Sequence, residues 1–322
     1  MSYGFFKKIS FGYGPWRQWL NLAAVCVAAG LGCGVLLYTG CQGTAPINGK
    51  NDTPSRAKPQ DGNKDDFHVY LCFGQSNMEG YSGAYQNPKI EEEDLHYVDP
   101  RFQMLAAVDF PNHGRVKKQW YTAYPPLCRS STGLCPADYF GRILVSSLPQ
   151  NIQVGIINVS VAGSAIEIFD QNRYQSYIAG AADWLKDIAN NYYGGNPYEH
   201  LVDLARTAQT KGVIKGILLH QGESNGNADE WLSLVNGIYD RLLSDLGLEP
   251  DSIPLLAGEL VNGNTKNMIN RLPEVIPRAH VIASSGCGVQ PDNLHFNPAG
   301  YRELGKRYAG KMLAIMGIVP AE

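Results

Sequence analysis

The chain has 322 residues, of which 44% are hydrophobic, so it can bury a core large enough for one sizeable domain with additional segments. Its formal net charge is -3 at pH 7. A chain so close to neutrality has no excess of lysine and arginine with which to bind phosphates, and this argues against a nucleic-acid partner.

Residues 1–41 have the composition of a secretory signal or a membrane anchor. Basic residues up to Arg17 precede a long run of apolar and small residues at 20–38. Positive charge followed by an apolar run is typical of segments that direct a protein across or into a membrane. We therefore expect the remainder of the chain to lie outside the cytoplasm.

Three interpretations of this leader stay open. Small residues directly before Cys41 resemble a bacterial lipoprotein processing box, in which Cys41 becomes the lipidated N-terminus. The apolar run is also close to the length of a helix that spans a bilayer, which would make it a retained anchor. Ordinary signal cleavage is the third. The first two predict a protein held at a bacterial membrane.

Residues 42–66 are predicted to be a flexible linker. They contain Gly, Pro, Asn, Asp and Lys and almost no large apolar side chain. Such a segment cannot bury enough surface to offset the entropy lost on folding. The folded domain is therefore predicted to occupy residues 67–322.

Within that domain, short apolar runs alternate with helical patterns. Uninterrupted Val, Ile and Leu runs suit parallel strands that are covered on both faces. The alternation predicts an α/β fold, a three-layer, doubly wound domain around a mostly parallel five-stranded sheet. Residues 91–132 show no clear period and are predicted to be a long insertion over the active face. The predicted strands are 68–73, 154–159, 213–220, 254–260 and 280–284, and the predicted helices are 136–147, 198–211, 228–246, 265–276 and 298–316.

The cysteines leave alternatives open. Cys128 and Cys135 bracket a short Ser-, Thr- and Gly-containing loop. They can pair in an oxidising compartment, or they can be two free thiols. Cys72 lies within the first predicted strand and is interpreted as a small core residue, although a bridge to Cys287 stays open.

Polar, glycine-containing segments follow three of the predicted strands, and a fourth precedes the last predicted helix. Ser76 lies just after the first strand, and Asp292 and His295 lie just before the final helix. The carboxyl ends of parallel strands meet at one edge of a sheet, where open α/β folds bind their ligands. Serine, histidine and aspartate brought together there are the parts of a nucleophilic hydrolase.

In this order the segments resemble the SGNH hydrolase superfamily. Within it, the chain is similar to the carbohydrate esterases of family 6 and the sialate O-acetylesterase group. The resemblance covers about residues 67–316 and implies a flavodoxin-like fold. One departure concerns the segment that follows the predicted strand 154–159. This segment often reads Gly-Gly in the family, whereas this chain has Ala162-Gly163. The motifs that carry the resemblance are Gly-Gln-Ser-Asn-Met at 74–78, Gln-Gly-Glu at 221–223 and Asp-x-x-His at 292–295.

The resemblance implies the roles of the site residues. Ser76 would attack the ester carbonyl, His295 would carry its proton, and Asp292 would orient the imidazole. The backbone N–H groups of Ser76 and Gly163, with the Gln221 side chain, would hold the oxyanion. This chemistry needs no cofactor and no metal.

Glu223 is the alternative partner of His295, or an auxiliary residue that positions the loop around Gln221. A competing motif is Gly222-Glu223-Ser224-Asn225-Gly226, which matches the nucleophile elbow of α/β-hydrolases and would make Ser224 the nucleophile. His220 and Glu223 lack an evident third ligand for a metal. Several aromatic residues could stack on sugar rings: Trp120, Trp184, Tyr192, Tyr193 and Trp231.

Two alternative functions therefore remain open. The first is a serine esterase that removes O-acetyl groups from a carbohydrate partner, either acetylated xylan or a sialic acid. The second is a surface-tethered protein that binds glycans without catalysis on a retained hydrolase fold. The presence of Ser76, Asp292 and His295 favours the first.

Overall fold

The computed structural model describes residues 62–80, 90–96, 99–261 and 266–318. The predicted leader, with Cys41, and residues 42–61 of the predicted linker lie outside the described residues. At the end of that linker, Lys64–Asp66 forms a 3-10 turn, capped by the Asn63 side chain, that leads into the first strand. No helix in the described ranges is both long and apolar enough to cross a bilayer.

A seven-stranded sheet forms the middle layer, with the order β3-β2-β4-β1-β5-β6-β7. All neighbouring strands run parallel except β2 and β3, which are antiparallel. The α/β class and the mostly parallel sheet are thus as predicted. The strands are β1 Phe67–Gly74, β2 Phe102–Leu105, β3 Trp120–Thr122, β4 Gln153–Ser160, β5 Val213–His220, β6 Leu255–Gly258 and β7 Ala279–Ile282.

The sheet has seven strands where five were predicted. The two additional strands, β2 and β3, lie within residues 91–132, which were interpreted as an insertion over the active face. They extend one edge of the sheet. Of the described residues in this segment, only those at its end, around 129–132, lie at the active face as predicted. Both strands are short, and the segment between them contains Pro111 and Gly114, so neither strand shows a period in the sequence.

Helices cover the sheet. α3 and α10 pack against each other and on the sheet, while α6 and α7 are joined through the Tyr198 hydroxyl and the Asp245 carboxylate. The helices are α1 Ser76–Glu79, α2 Glu92–His96, α3 Pro136–Ser147, α4 Tyr174–Gly180, α5 Asp183–Asp187, α6 Pro197–Gln209, α7 Ala228–Asp245, α8 Lys266–Ile269, α9 Leu272–Val275 and α10 Pro298–Ile315.

The helix predicted at 265–276 is two short helices, α8 and α9. Pro273 lies in the first turn of α9, and a proline inside a continuous helix would remove a backbone donor and clash with the preceding turn. The final helix, α10, begins as predicted: the Asn297 side chain accepts the Gly300 N–H at 2.9 Å, and Pro298 occupies the first turn.

The close approach of α3 and α10 depends on a glycine. A Cβ atom placed on Gly305 of α10 would lie 2.4 Å from the Pro136 carbonyl oxygen and 2.9 Å from the Tyr139 Cβ atom. Both distances are shorter than van der Waals contact. Only glycine at position 305 therefore lets the two helices pack at this separation.

The described cysteines are free thiols, and all four are buried. Of the alternatives left open by the sequence, the structure therefore has free thiols, with neither a Cys128–Cys135 disulfide nor a Cys72–Cys287 bridge. The side chains of Cys128 and Cys135 both lie in the interior. The Cys128 sulfur lies 3.4 Å from the Tyr193 hydroxyl oxygen. Cys72 is a core residue of β1, as expected.

Candidate active site

The site lies where β1, β4 and β5 end side by side. The chain leaves β1 tightly against the end of β5, since the Gln75 N–H donates to the His220 carbonyl oxygen at 3.0 Å. Gly74 permits this approach: its φ is +154°, and a Cβ atom there would lie 2.1 Å from that same oxygen. Ser76 follows as the first residue of α1.

The three predicted catalytic side chains form one hydrogen-bonded chain. The His295 Nε2 atom lies 2.8 Å from the Ser76 hydroxyl oxygen, and its Nδ1 atom lies 2.7 Å from Asp292 Oδ2. The other carboxylate oxygen of Asp292 accepts the backbone N–H groups of Leu294 and His295, each at 3.0 Å. The turn that carries His295 is thus closed on the carboxylate that holds its ring.

Asn77 holds this turn against the start of α1. Its Nδ2 donates to the Leu294 carbonyl oxygen at 3.1 Å, and its Oδ1 accepts the Phe296 N–H at 3.2 Å. These two contacts lie on either side of His295. The Tyr301 hydroxyl of α10 donates to the same Oδ1 at 2.8 Å. The neighbour of the serine therefore fixes the position of the histidine.

The two acidic residues of the site have different partners. Burial alone would raise the pKa of the Asp292 carboxyl, but its hydrogen bonds to the His295 ring and to two backbone N–H groups outweigh it and lower the pKa. Burial would also raise the pKa of Glu223, and there the attraction of His220 and the hydrogen bond from Asn77 lower it. Both groups are carboxylates at neutral pH.

Glu223 lies beside the triad and contacts Asn77. Its Oε1 accepts from Asn77 Nδ2 at 2.7 Å. The His220 Nε2 atom is 3.5 Å from the same oxygen, which is within electrostatic reach but too long for a strong hydrogen bond. Of the two acids considered as partners of His295, Asp292 contacts the His295 ring, whereas Glu223 contacts Asn77, which positions the turn.

A cavity of about 530 Å³ opens above Ser76 and His295. This volume is within the range of small-molecule sites. Its lining combines polar and charged side chains with apolar ones. The residues are Gln75, Ser76, Glu79, Arg129, Ser131, Thr132, Ala162, Gly163, Trp184, Ile188, Glu223, Ser224, Leu294 and His295.

One wall of this pocket contains a buried ion pair. Arg129 Nη2 donates to Glu79 Oε2 at 2.7 Å, and the Ala162 N–H donates to the same oxygen at 2.8 Å. Arg129 Nη1 also donates to the Ser160 carbonyl oxygen and to the Tyr193 hydroxyl. These contacts join α1, the segment after β3 and the end of β4, so the pair fixes the wall.

A family model matches residues 66–314 of this chain, which is more than half of its length. That family is described as carbohydrate esterase, sialic acid-specific acetylesterase. The chain belongs to this family. It is therefore a carboxylic ester hydrolase of the carbohydrate acetylesterase type, as the resemblance in the sequence implied.

Solved structures support the fold of this acetylesterase. An Arabidopsis thaliana protein is 19% identical, with a TM-score of 0.58, over 77% of this chain and 98% of its own. A carbohydrate acetylesterase from Xanthomonas citri is 18% identical, with a TM-score of 0.54, over 77% of this chain and 56% of its own. NanS is 17% identical, with a TM-score of 0.52, over 79% of this chain and 99% of its own.

The structure does not place Gln221 of the acetylesterase where an oxyanion donor was expected. Gln221 is fully buried. Its Nε2 donates to Asn225 Oδ1 at 2.9 Å and to the Ser164 carbonyl oxygen at 3.2 Å, and its Oε1 accepts from Trp231 Nε1 at 2.5 Å. Through these hydrogen bonds, its buried amide holds the loop after β5 in place. Ser76 and Gly163 do line the pocket.

Ser224, the serine of the competing motif, lies at the pocket rim. Its hydroxyl donates to the Gly163 carbonyl oxygen at 3.0 Å, and Gln75 Nε2 approaches it at 3.5 Å. The His295 imidazole instead contacts the Ser76 hydroxyl in this arrangement. Within the described ranges, no group of three His, Cys, Asp or Glu side chains could hold a metal ion.

The sequence did not predict three features of the site: the role of Asn77, the Glu79–Arg129 pair and the position of Ile188 in the pocket wall. Trp184, which was predicted as a possible stacking residue, does line the pocket. Asn77 belongs to the motif at 74–78 that contains Ser76, and Glu79 follows that motif directly, so the sequence does place both near Ser76. Arg129 lies in the region whose strands were not recognised. No local pattern pairs it with Glu79, which is 50 residues away.

Proposed function

We propose that this acetylesterase removes O-acetyl groups from carbohydrate by a Ser-His-Asp mechanism. The observation that carries the proposal is the unbroken chain from Ser76 Oγ through His295 to Asp292 at the floor of an open pocket. Acetylated xylan and acetylated sialic acid are the two substrate types considered. The description of the family favours sialic acid, and the resemblance to family 6 favours xylan.

In the first half of the reaction, His295 Nε2 takes the Ser76 proton as Oγ attacks the acetyl carbonyl. The Asp292 carboxylate stabilises the imidazolium that forms, and its bond to Nδ1 keeps Nε2 as the proton acceptor. Negative charge develops on the former carbonyl oxygen. The backbone N–H groups of Ser76 and Gly163 are the proposed donors to it. Ser76 begins α1, where the first N–H groups have no partner within the helix, and Gly163 lines the pocket in the turn after β4.

In the second half, the imidazolium gives its proton to the sugar oxygen as the bond to the acetyl group breaks. The sugar alcohol leaves, and Ser76 carries an acetyl ester. Water then enters, His295 takes its proton, and attack on the acetyl-enzyme releases acetate and restores Ser76.

Ser76→Ala and Ser224→Ala test this assignment, with acetate release from an acetylated sugar as the measurement. Loss of the nucleophile in Ser76→Ala is expected to lower kcat by about a thousandfold or more. Ser224→Ala, the matched control at the same pocket, loses one hydrogen bond and is expected to keep activity within about tenfold.

The reverse pattern would move the nucleophile to Ser224 and overturn the mechanism. If wild type bound acetylated sugars and released no acetate, the non-catalytic glycan-binding function would replace the proposed one.

We also propose that residues 1–41 take the enzyme out of the cytoplasm and that Cys41 anchors it to a bacterial membrane through lipid. The support is the order of basic residues, apolar run and small residues before Cys41 in the sequence.

A further inference from the structure

The apolar wall of the pocket is formed by α5 and the π-helical turn Ile188–Tyr192 that follows it. Trp184 and Ile188 are four residues apart, which places them on one face of this segment, and both line the pocket. This segment thus gives the pocket an apolar surface with one aromatic ring.

Trp184 is 52% exposed, although it is the largest apolar side chain of the pocket. Leaving an indole in water forgoes the free energy that its burial would contribute. Most other large apolar side chains of the domain lie in the core. An exposed aromatic residue inside a binding pocket is a contact surface that a ligand can cover.

The position of the indole is linked to Gly163, one of the two proposed oxyanion donors. A Cβ atom on Gly163 would lie 2.5 Å from Trp184 Cη2, so the ring occupies the space that any other residue would need. Gly163 has a φ of +65°, which also favours glycine. An ester carbonyl held at Gly163 therefore has its adjoining groups beside the Trp184 ring.

We infer that Trp184 is the stacking surface for a pyranose ring that carries the acetyl ester directly on one of its ring hydroxyls. This inference rests on the proposed function. In such an ester the ring begins one bond from the ester oxygen, so it reaches Trp184 while the carbonyl is at Gly163. The C–H face of a pyranose is apolar with slightly positive hydrogens, and the face of an indole ring is slightly negative.

The charges of the Glu79–Arg129 pair in the pocket wall are engaged within the protein. Arg129 donates to Glu79, to the Ser160 carbonyl oxygen and to the Tyr193 hydroxyl. Glu79 in turn accepts from Arg129 and from the Ala162 N–H. The ring is accordingly recognised by its apolar face rather than by an ion pair with Arg129. An acetyl group on a flexible side chain of a sugar would leave the ring away from Trp184.

The experiment compares Trp184→Ala and Trp184→Phe with wild type on three acetate esters. The first is a methyl xylopyranoside acetylated on a ring hydroxyl, the second is sialic acid acetylated on its glycerol side chain, and the third is vinyl acetate, which has no ring. We expect Trp184→Ala to lower kcat/KM for the ring ester about tenfold more than for vinyl acetate, because stacking is lost from the ring ester alone.

Trp184→Phe keeps an aromatic face and is expected to recover most of that difference. Val275→Ala, which truncates an exposed apolar side chain of α9 outside the pocket, is the control for nonspecific effects. The side-chain ester of sialic acid is expected to lose less than the ring ester.

Equal losses on all three esters would mean that Trp184 only supports the Gly163 loop, and equal or larger loss on the sialic acid ester would overturn the ring placement. If wild type hydrolysed vinyl acetate and neither sugar ester, the proposed function would fail by itself. Fluorescence titration of Ser76→Ala with the ring ester then decides the inference: quenching that Trp184→Ala removes supports it, and unchanged fluorescence overturns it.

Discussion

Asp292 and Glu223 are two buried or partly buried carboxylates near one imidazole, and their hydrogen bonds separate their roles. Asp292 contacts the ring nitrogen that faces away from Ser76. Glu223 contacts Asn77, which holds the backbone on both sides of His295. The first carboxylate contacts the proposed proton acceptor itself, whereas the second contacts the residue that holds it in position.

Asp292→Asn is expected to lower kcat by several powers of ten, because an amide can favour the wrong imidazole tautomer and does not stabilise the imidazolium. Glu223→Gln keeps an oxygen for the Asn77 bond and nearly the same volume, so we expect a loss of about tenfold or less. The measurement is kcat for acetate release by both variants, with circular dichroism to confirm that both are folded. A larger loss in Glu223→Gln would make Glu223 the acid of the triad.

At this scale the sequence predicted Ser76, Asp292 and His295 as one group, and the structure brings them within hydrogen-bond distance. Each lies in a short motif whose distance from a strand or helix is legible in the sequence. Gln221 was predicted less well. The direction of its amide is set by Trp231, Asn225 and Ser164, and a linear motif contains no information about which of these it will contact.

Elements of secondary structure could be predicted where they are long and their apolar residues repeat with one regular spacing. α3, α7 and α10 lie within a residue or two of their predicted bounds. The short strands β2 and β3 were missed, because four and three residues are too few to show alternation. Their strand conformation depends on β4, against which β2 pairs, and pairing across the sheet is not encoded locally.

The packing of α3 on α10 gives a prediction at the scale of elements. Gly305→Ala is expected to destabilise the domain by about 1–3 kcal/mol, because the new methyl group would collide with Pro136 and Tyr139. Gly310→Ala is the matched control on the same helix, where a Cβ atom has nothing within 4 Å. Since alanine favours a helix over glycine, Gly310→Ala should stabilise by about 0.5–1 kcal/mol.

Urea unfolding of both variants, with equal m-values as the check on comparability, measures these changes. If both substitutions stabilised the domain to the same extent, the tight contact at Gly305 would not limit the approach of the helices.

For the whole molecule, the proposed anchor predicts the behaviour of the N-terminus. Cys41→Ser should block incorporation of labelled fatty acid and leave a longer precursor, because the lipidated residue is absent. Attachment by several acyl chains is firm, whereas one chain binds only weakly. Metabolic labelling and migration on a gel, with the buried Cys72→Ser as a control for other cysteines, are the measurements.

A mutant that migrates like wild type and stays in the membrane fraction would show that residues 20–38 are a retained anchor. The lipoprotein proposal would then be wrong, while the proposal that the enzyme is outside the cytoplasm would remain.

Asn77 joins the first helix, which begins with Ser76, to the turn around His295. Ser76 and His295 are separated by 219 positions in the chain. During synthesis, Ser76 therefore leaves the ribosome long before His295, the residue proposed to activate it. A nascent chain that stops before the turn around His295 has the proposed nucleophile without its proposed proton acceptor. Chains truncated before His295 are accordingly expected to release no acetate from esters.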